Sequence, residues 1–495
     1  RAMKVTIKDR RVIGLPEEKI GPVLQWADHQ AEWIGAEAFA GQSKLEEVVL
    51  GEGIRVIETK AFYRCENLKK LVLPESLEEI GDSAFLGCGK LEEVVLPAAC
   101  RLVGEKAFSW CGGLKKVTFC AGGEKRQIGE SAFSFCSALE KVEIAEGFVL
   151  VGRSAFSVCS ALEEVCLPES LCEIGSQAFE ACGALRQVRF SSGLQRIGSW
   201  AFRECRALAE VDLPDTVQEI GEGAFLGCME LMSVHLPAYL TQISDWLFGK
   251  CRALTRLDFP PSLRRIGAFA FSRCRKIRSF SFAPGIEEIG RGAFSACLDT
   301  EEISFGPGVT KIEDRAFEMC GALRAVTLPD TVEHLTAKPF YECRALLGIR
   351  YLWRGTKMPY VWVPFTPRGR KLICQMQQGI FTWQQYDEMF PAWRTKQQKI
   401  TVACWRLRFR EGLSDEAQAQ YRAYIKRYAL ETARQAIEKE DMERLSLLCE
   451  EKLLPKRHLP ALIALSSKGQ GLSTAMLLEY GKTQVHPPAK RRFQL

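Results

Sequence analysis

Apolar positions along residues 31–349 recur with a period of 23 instead of the 3.6 of a helix or the 2 of a long strand. A well-formed unit runs Ile80-Gly81-Asp82-Ser83-Ala84-Phe85-Leu86-Gly87-Cys88-Gly89-Lys90-Leu91-Glu92-Glu93-Val94-Val95-Leu96-Pro97. Leu91 to Leu96 alternates apolar and variable positions near its end, which predicts a short strand. Pro97 stops it because proline cannot donate to a ladder. The stretch around Ser83-Ala84-Phe85 reads as a tight turn or a short helix, with Gly81 permitting the backbone to bend.

The register is carried by Phe39, Phe62, Phe85, Phe108, Phe133, Phe156, Phe179, Phe202, Phe225, Phe248, Phe271, Phe294, Phe317 and Phe340, all 23 apart except for one step of 25 between Phe108 and Phe133. Ala precedes Phe in twelve of the fourteen units, Leu247 and Pro339 being the exceptions, and Cys follows three residues later in all but the first, where Gln42 stands. One unit cannot bury its own Leu, Ile and Phe. Stacking does so, strand on strand at about 4.8 Å with Phe on Phe behind, each buried Phe contributing about 1.5–3 kcal/mol.

The motif L-x-x-[IV]-x-[LF]-P-x-x-[LV]-x-x-I-G-x-x-A-F-x-x-C resembles the BspA-like class of bacterial leucine-rich repeats over about residues 31–349. The resemblance implies an α/β repeat solenoid: a curved parallel sheet on the concave side, with short turns or helices on the convex side. It also implies a protein that binds other macromolecules, members often being surface or effector proteins.

With the apolar positions inward, the residues eight and ten after each Phe point out of the sheet. The first column runs from Glu47, Lys70, Glu93 and Lys116 through Lys141 and Glu164 to Arg256, and the second contains Val49, Val72, Val95, Arg189, Asp212, His235 and Asp258. The plain reading is a solvated sheet face. The sharper one makes the Val49-Val72-Val95 stripe and the Arg189-Asp212-His235-Asp258 run, with Arg256 beside it, the contact surface for a partner. The two-residue insertion falls in Cys120-Ala121-Gly122-Gly123-Glu124-Lys125-Arg126, read as a flexible, basic-tipped loop.

Composition changes the picture in two ways. Thirteen of the twenty cysteines occupy one repeated position, which predicts reduced core thiols and a reducing compartment instead of a disulfide framework. The net charge of +6 divides unevenly: residues 350 onward carry 26 Lys and Arg against 13 Asp and Glu, leaving 41 against 48 before them. No apolar stretch reaches the roughly 18 residues of a membrane span, and no hydrophobic run follows Arg1-Ala2-Met3-Lys4. The expected location is cytoplasmic, or the cell surface if an upstream export signal precedes Arg1.

The domains expected are a cap over 1–30, the solenoid of fourteen repeats over 31–349, an aromatic and Pro-rich cap and linker over 350–381, a basic all-α domain over 382–486, and a disordered basic tail over 487–495. Within the helical part, Ser414-Asp415-Glu416 is an N-terminal cap leading into Tyr421, Tyr424, Ile425 and Tyr428. Met442 to Leu453, Leu459 to Ser467 and Ser473 to Tyr480 read as short amphipathic helices weakly resembling ankyrin-like or HEAT-like pairs. The alternating Arg406, Arg408 and Arg410, with Trp393 and Trp405 as stacking faces, offer a contact to nucleic acid.

The five histidines His29, His235, His334, His458 and His486 fit no metal or triad spacing, and Gly469-Gln470-Gly471 lacks the ending of a phosphate loop. No cofactor, metal or catalytic residue is expected. The function expected is a non-catalytic scaffold that binds a protein through the concave face, the basic helical region, or both. The alternatives are a cell-surface adhesin and a regulator touching nucleic acid.

Overall fold

The computed structural model describes residues 6–14, 21–25, 31–123, 125–333, 338–467 and 471–485. The expected tail over 487–495 therefore lies outside the described residues, as do Glu124, His29, His334, His486, Gly469 and Gln470. Two compact units are present, Arg1–Leu323 with Thr331–Ala345, and Arg324–Asp330 with Leu346–Leu495.

The first unit is a parallel β-solenoid in which every turn carries two strands. The longer, such as Glu93–Leu96, pairs in parallel register with the next turn's Lys116–Phe119. These strands form a ladder of eight from Val23–Gln25 to Gln187–Arg189, then one of three from Glu210–Asp212 to Arg256–Leu257. The shorter, most of them two residues as at Glu79–Ile80, build a second parallel ladder that runs to Glu219–Ile220, and a further one from Gln242–Ile243 to Lys311–Ile312. An antiparallel hairpin, Thr6–Lys8 with Arg11–Gly14, stands at the head of this second ladder.

The stretch around each Phe, open between turn and short helix in the sequence, is a turn. In all thirteen rungs from Phe39 to Phe317 the residues two before and two after Phe have positive φ, such as Ser83 at 56° and Gly87 at 78°. Most of these are not glycine, so the conformation carries strain that surrounding contacts must offset. A third set of hydrogen bonds does so. Ser83, Phe85 and Gly87 donate their N–H groups to Glu105, Ala107 and Ser109 of the next rung at 2.7, 2.7 and 2.9 Å.

Gly81 is not there to bend the chain, as its sequence context suggested. Its φ is not positive, and a Cβ would sit 2.9 Å from the backbone of Ile57, Glu58 and Thr59 in the rung before. At Gly198 the same atom would lie 2.4 Å from the Ser176 nitrogen. Close backbone approach between rungs is what demands glycine here.

The core runs the length of the stack. Leu91, Val94, Leu96, Cys100, Val103, Ala107, Phe108 and Cys111 are all fully buried. The fourteen Phe rings stack face to face, with centroids 5.0–5.7 Å apart and planes within 2–19°. Because rungs repeat at about 4.8 Å, separations above that value mean slipped rings, the offset geometry that the aromatic quadrupole favours. Each of the thirteen ladder thiols donates to the carbonyl of the preceding rung's Phe, from Cys65 to Phe39 at 3.1 Å to Cys343 to Phe317 at 3.0 Å.

The second unit begins with three strands, Ala325–Pro329 and Gly348–Leu352 paired in parallel and Val361–Pro364 antiparallel to the latter. Eight helices follow among the described residues: α1 Pro367–Gln377, α2 Trp383–Glu388, α3 Lys396–Arg408, α4 Asp415–Arg427, α5 Ala429–Glu438, α6 Met442–Glu450, α7 Leu459–Ser466 and α8 Leu472–Val485. Helix α1 lies inside the stretch read as cap and linker, so helical structure starts before residue 382. Thr366 caps it through the Gly369 N–H, and Pro367 supplies a first-turn residue with no donor to lose. Ser414 caps α4 as its sequence indicates, accepting from the Ala417 N–H. The last four helices stack as two pairs, α5 with α6 and α7 with α8, joined through α5–α7 and α6–α8 contacts.

Candidate functional site

The longer strands carry an out-in-out pattern in which the central residue is buried and its two neighbours face solvent. The structure puts Val49, Val72 and Val95 on three successive strands, Val49 half-buried and the other two 39% and 44% exposed. Arg189, Asp212, His235, Arg256 and Asp258 are all exposed. Asp212 stands opposite His235 in register, and Arg256 opposite Ser233. Asp258 lies one residue beyond its strand Arg256–Leu257. The ladder is interrupted between the Arg189 and Asp212 strands, so Arg189 ends one sheet and Asp212 begins the next.

Charge on this face is arranged in two regimes. From Glu47 to Arg189 it is internally paired: Lys70 with Glu47 at 2.6 Å, Lys116 with Glu93 at 3.0 Å, Lys141 with Glu143 at 2.6 Å and Glu164 at 3.4 Å, and Arg189 with Glu164 at 3.0 Å. Hydrogen bonding to Lys141 holds the Glu143 carboxyl below its ordinary range, and the same bond holds the Lys141 ammonium above its own. Exposed pairs of this kind are individually weak and screened by salt. The rungs just beyond Arg189 differ. Asp212, His235, Arg256 and Asp258 make no ion pair or side-chain hydrogen bond among the described residues. A groove of about 770 Å³ opens at the step from the Lys116 strand to the Lys141 strand, where the repeat is two residues longer.

That insertion is not tipped by Arg126. The side chain is fully buried, its guanidinium donating to the carbonyls of Cys100, Cys120 and Pro97 and lying 4.1 Å over the Phe148 ring. Lys125 is the exposed basic residue there. Sequence reasoning missed this clamp because an isolated Arg beside glycines has the look of a solvated loop.

Of the residues offered for nucleic acid, Trp393, Trp405 and Arg406 are likewise internal, whereas Arg408 and Arg410 are exposed. Trp393 and Trp405 are 2% and 6% exposed. Arg406 is fully buried and binds Asp387 through two bonds of 2.8 Å, with its Nη1 donating to the carbonyls of Phe409 and Glu411 at 3.0 Å. Tyr421 donates to the same Asp387 at 2.6 Å. Arg410 pairs with Glu451. A buried ion pair whose guanidinium is spent on internal acceptors holds helices together and is not presented to a phosphate. Among the described residues no group of three or more His, Cys, Asp or Glu stands close enough to hold a metal ion, and no helix is long and apolar enough to cross a membrane.

Two parallel ladders, a ring stack and one exposed sheet face define a leucine-rich-repeat solenoid, and a helical region follows it in the chain. The match to the BspA type leucine rich repeat region covers residues 32–146, 126–255 and 219–347, and the chain belongs to that family. A leucine-rich repeat protein from Bacteroides ovatus is 26% identical, with a TM-score of 0.51, over 67% of this chain and 91% of its own. A leucine rich cell surface protein from Faecalibacterium prausnitzii is 24% identical over 66% of this chain and 84% of its own, with a TM-score of 0.38. The leucine rich repeat protein of T. pallidum is 33% identical over 37% of this chain and 77% of its own, with a TM-score of 0.32. Among curated proteins none matches.

Proposed function

We propose that this chain is a non-catalytic scaffold that binds a protein partner through the exposed face of its longer strands. The observation that carries the reading is the change of regime along that face. The charges up to Arg189 are used up on one another, whereas Asp212, His235, Arg256 and Asp258 stand on consecutive rungs with none of their charge or hydrogen-bonding capacity engaged among the described residues. Rigidly spaced, unspent polar groups give specificity, and the Val72 and Val95 stripe supplies apolar area at the other end.

The test is chemical cross-linking of the full chain to proteins of its own producing cell, compared with Asp212→Lys, Arg256→Glu and Val95→Glu variants. These substitutions are exposed and expected to leave the melting temperature within about 2 °C, as surface changes usually do. Loss of one cross-linked partner from all three supports the face. Equal yield from every variant removes it.

The reduced thiol ladder supports a reducing compartment, since each ladder thiol already has a carbonyl partner and needs no disulfide. Cell fractionation decides between this and display at the surface. Recovery with the cell envelope instead of the cytoplasmic extract would favour the adhesin reading.

A further inference from the structure

The last helical pair carries an apolar groove that its own fold does not use. Helix α7 turns Leu459, Leu462 and Ser466 inward, and α8 turns Ser473, Leu477 and Tyr480 inward. Tyr480 donates to the Leu454 carbonyl at 3.0 Å and Thr474 to the Ser466 hydroxyl at 2.9 Å, which fixes the pair. Yet α7 is apolar all round, with Ser466 as its one polar residue. A helix of that composition is normally covered on every side. The uncovered side, between Pro460 and Ile463 on α7 and Leu478 on α8, is a groove of about 650 Å³, and Leu478 is 49% exposed.

Two features say what fits there. Gly481 lies in the interior of α8 on the groove, with a φ that needs no glycine and only the Leu459 Cδ1, at 3.9 Å, near the place of a Cβ. Glycine weakens a helix interior, and nothing in the pair's own packing requires it, whereas a second backbone approaching closely would. The rim is basic: Lys456 and Lys482 stand on it, neither in an ion pair among the described residues, and no carboxylate lines the groove. A second copy laid on this face about a two-fold axis would set Lys456 and Lys482 against themselves, which disfavours it.

We propose that the α7–α8 groove docks an amphipathic helix from a partner protein, its apolar stripe seated over Gly481 between Pro460, Ile463 and Leu478 and its acidic edges against Lys456 and Lys482. The α5–α6 pair already receives its neighbour in this manner, helix against helix pair, and the groove offers the next position in the array. The inference rests on the reading of the chain as a binding protein but on a different surface, so the two are separable.

The probe is a fluorescent helical peptide of about 20 residues with Leu at helical spacing and Glu on both edges, titrated into the full chain beside a twin bearing Lys in place of Glu. The acidic peptide is expected to bind and the basic twin at least about tenfold more weakly, with affinity falling as salt rises. Gly481→Trp is expected to reduce binding by about tenfold or more, and Gly481→Ala to weaken it measurably but less than Trp does while melting no lower. A Lys456→Glu/Lys482→Glu pair is expected to reverse the preference between the peptides. Arg256→Glu on the strand face leaves all of this unchanged if the two surfaces are independent. The inference is overturned if neither peptide binds, if both bind alike, or if folded Gly481→Trp binds as the parent does. It is equally overturned if Gly481→Trp abolishes self-association in sedimentation, if peptide binding appears only after residues 486–495 are removed, or if phosphatidylserine vesicles compete fully with the peptide.

Discussion

Arg126 is fully buried without a carboxylate beside it, and three backbone carbonyls share its charge. Its cost of burial is offset only while all three acceptors and the Phe148 ring are in place. Replacing it by Met keeps much of the volume but leaves the Pro97, Cys100 and Cys120 carbonyls without that donor, so Arg126→Met is expected to cost about 3 kcal/mol in denaturant unfolding. A loss below about 0.5 kcal/mol, the scale of a surface substitution, would place Arg126 outside the core it occupies here. At this scale the sequence exposed the candidate face but not which of its charges pair. The alternation of Gln187-Val188-Arg189 shows that Arg189 points outward. That it reaches back one rung to Glu164, and that Asp212 and His235 reach nothing among the described residues, depends on rotamers and rung spacing that no alternation contains.

The elements differ in how openly the sequence announces them. Strands such as Glu164–Cys166 are legible because a buried Val sits between outward residues and a Pro follows shortly after. Two-residue strands such as Arg196–Ile197 are not, since a single polar-apolar pair is too short to display a period. The ring stack is the element on which both ladders depend. Phe179 lies 5.3 Å from both Phe156 and Phe202, so truncation removes two stacking contacts and opens a cavity. Phe179→Ala is expected to lower stability by about 3–5 kcal/mol, seen as a lower thermal midpoint, without altering binding at the Arg256 end of the face. An unchanged midpoint would contradict the stack. Helix α1 escaped notice although Thr366-Pro367 is a sound helix start, because the aromatic-rich segment before it reads as irregular cover.

For the whole solenoid, the thiol ladder makes an alkaline limit. Unfolded thiols ionise near about 8.5. Burial pushes the Cys65 thiol up to about 11 and those of Cys111 and Cys182 up to about 12. Folding thus favours the protonated form. Its contribution is complete below about pH 8.5 and drains as pH rises towards 11 and 12, by about 1.4 kcal/mol per pH unit per thiol. Thermal melts from pH 8 to 11 are expected to fall progressively, with a shallower slope in a Cys182→Ala/Cys205→Ala double variant. Melting temperatures that hold level across that range would refute a buried, protonated ladder. Alkylation at pH 8 is expected to mark the exposed Cys172 and Cys374 first. The sequence by itself determined the rung length, the inward and outward columns, the ring stack and the ladder of thiols. All of these follow from a period that brings each residue against its own equivalent one turn away. Only tertiary structure decided which charges are spent, that Arg126 and Arg406 are core residues, and that Gly481 opens a groove between two helices. Those contacts join residues with no common period, so nothing repeats to reveal them and the folded packing alone selects the partners.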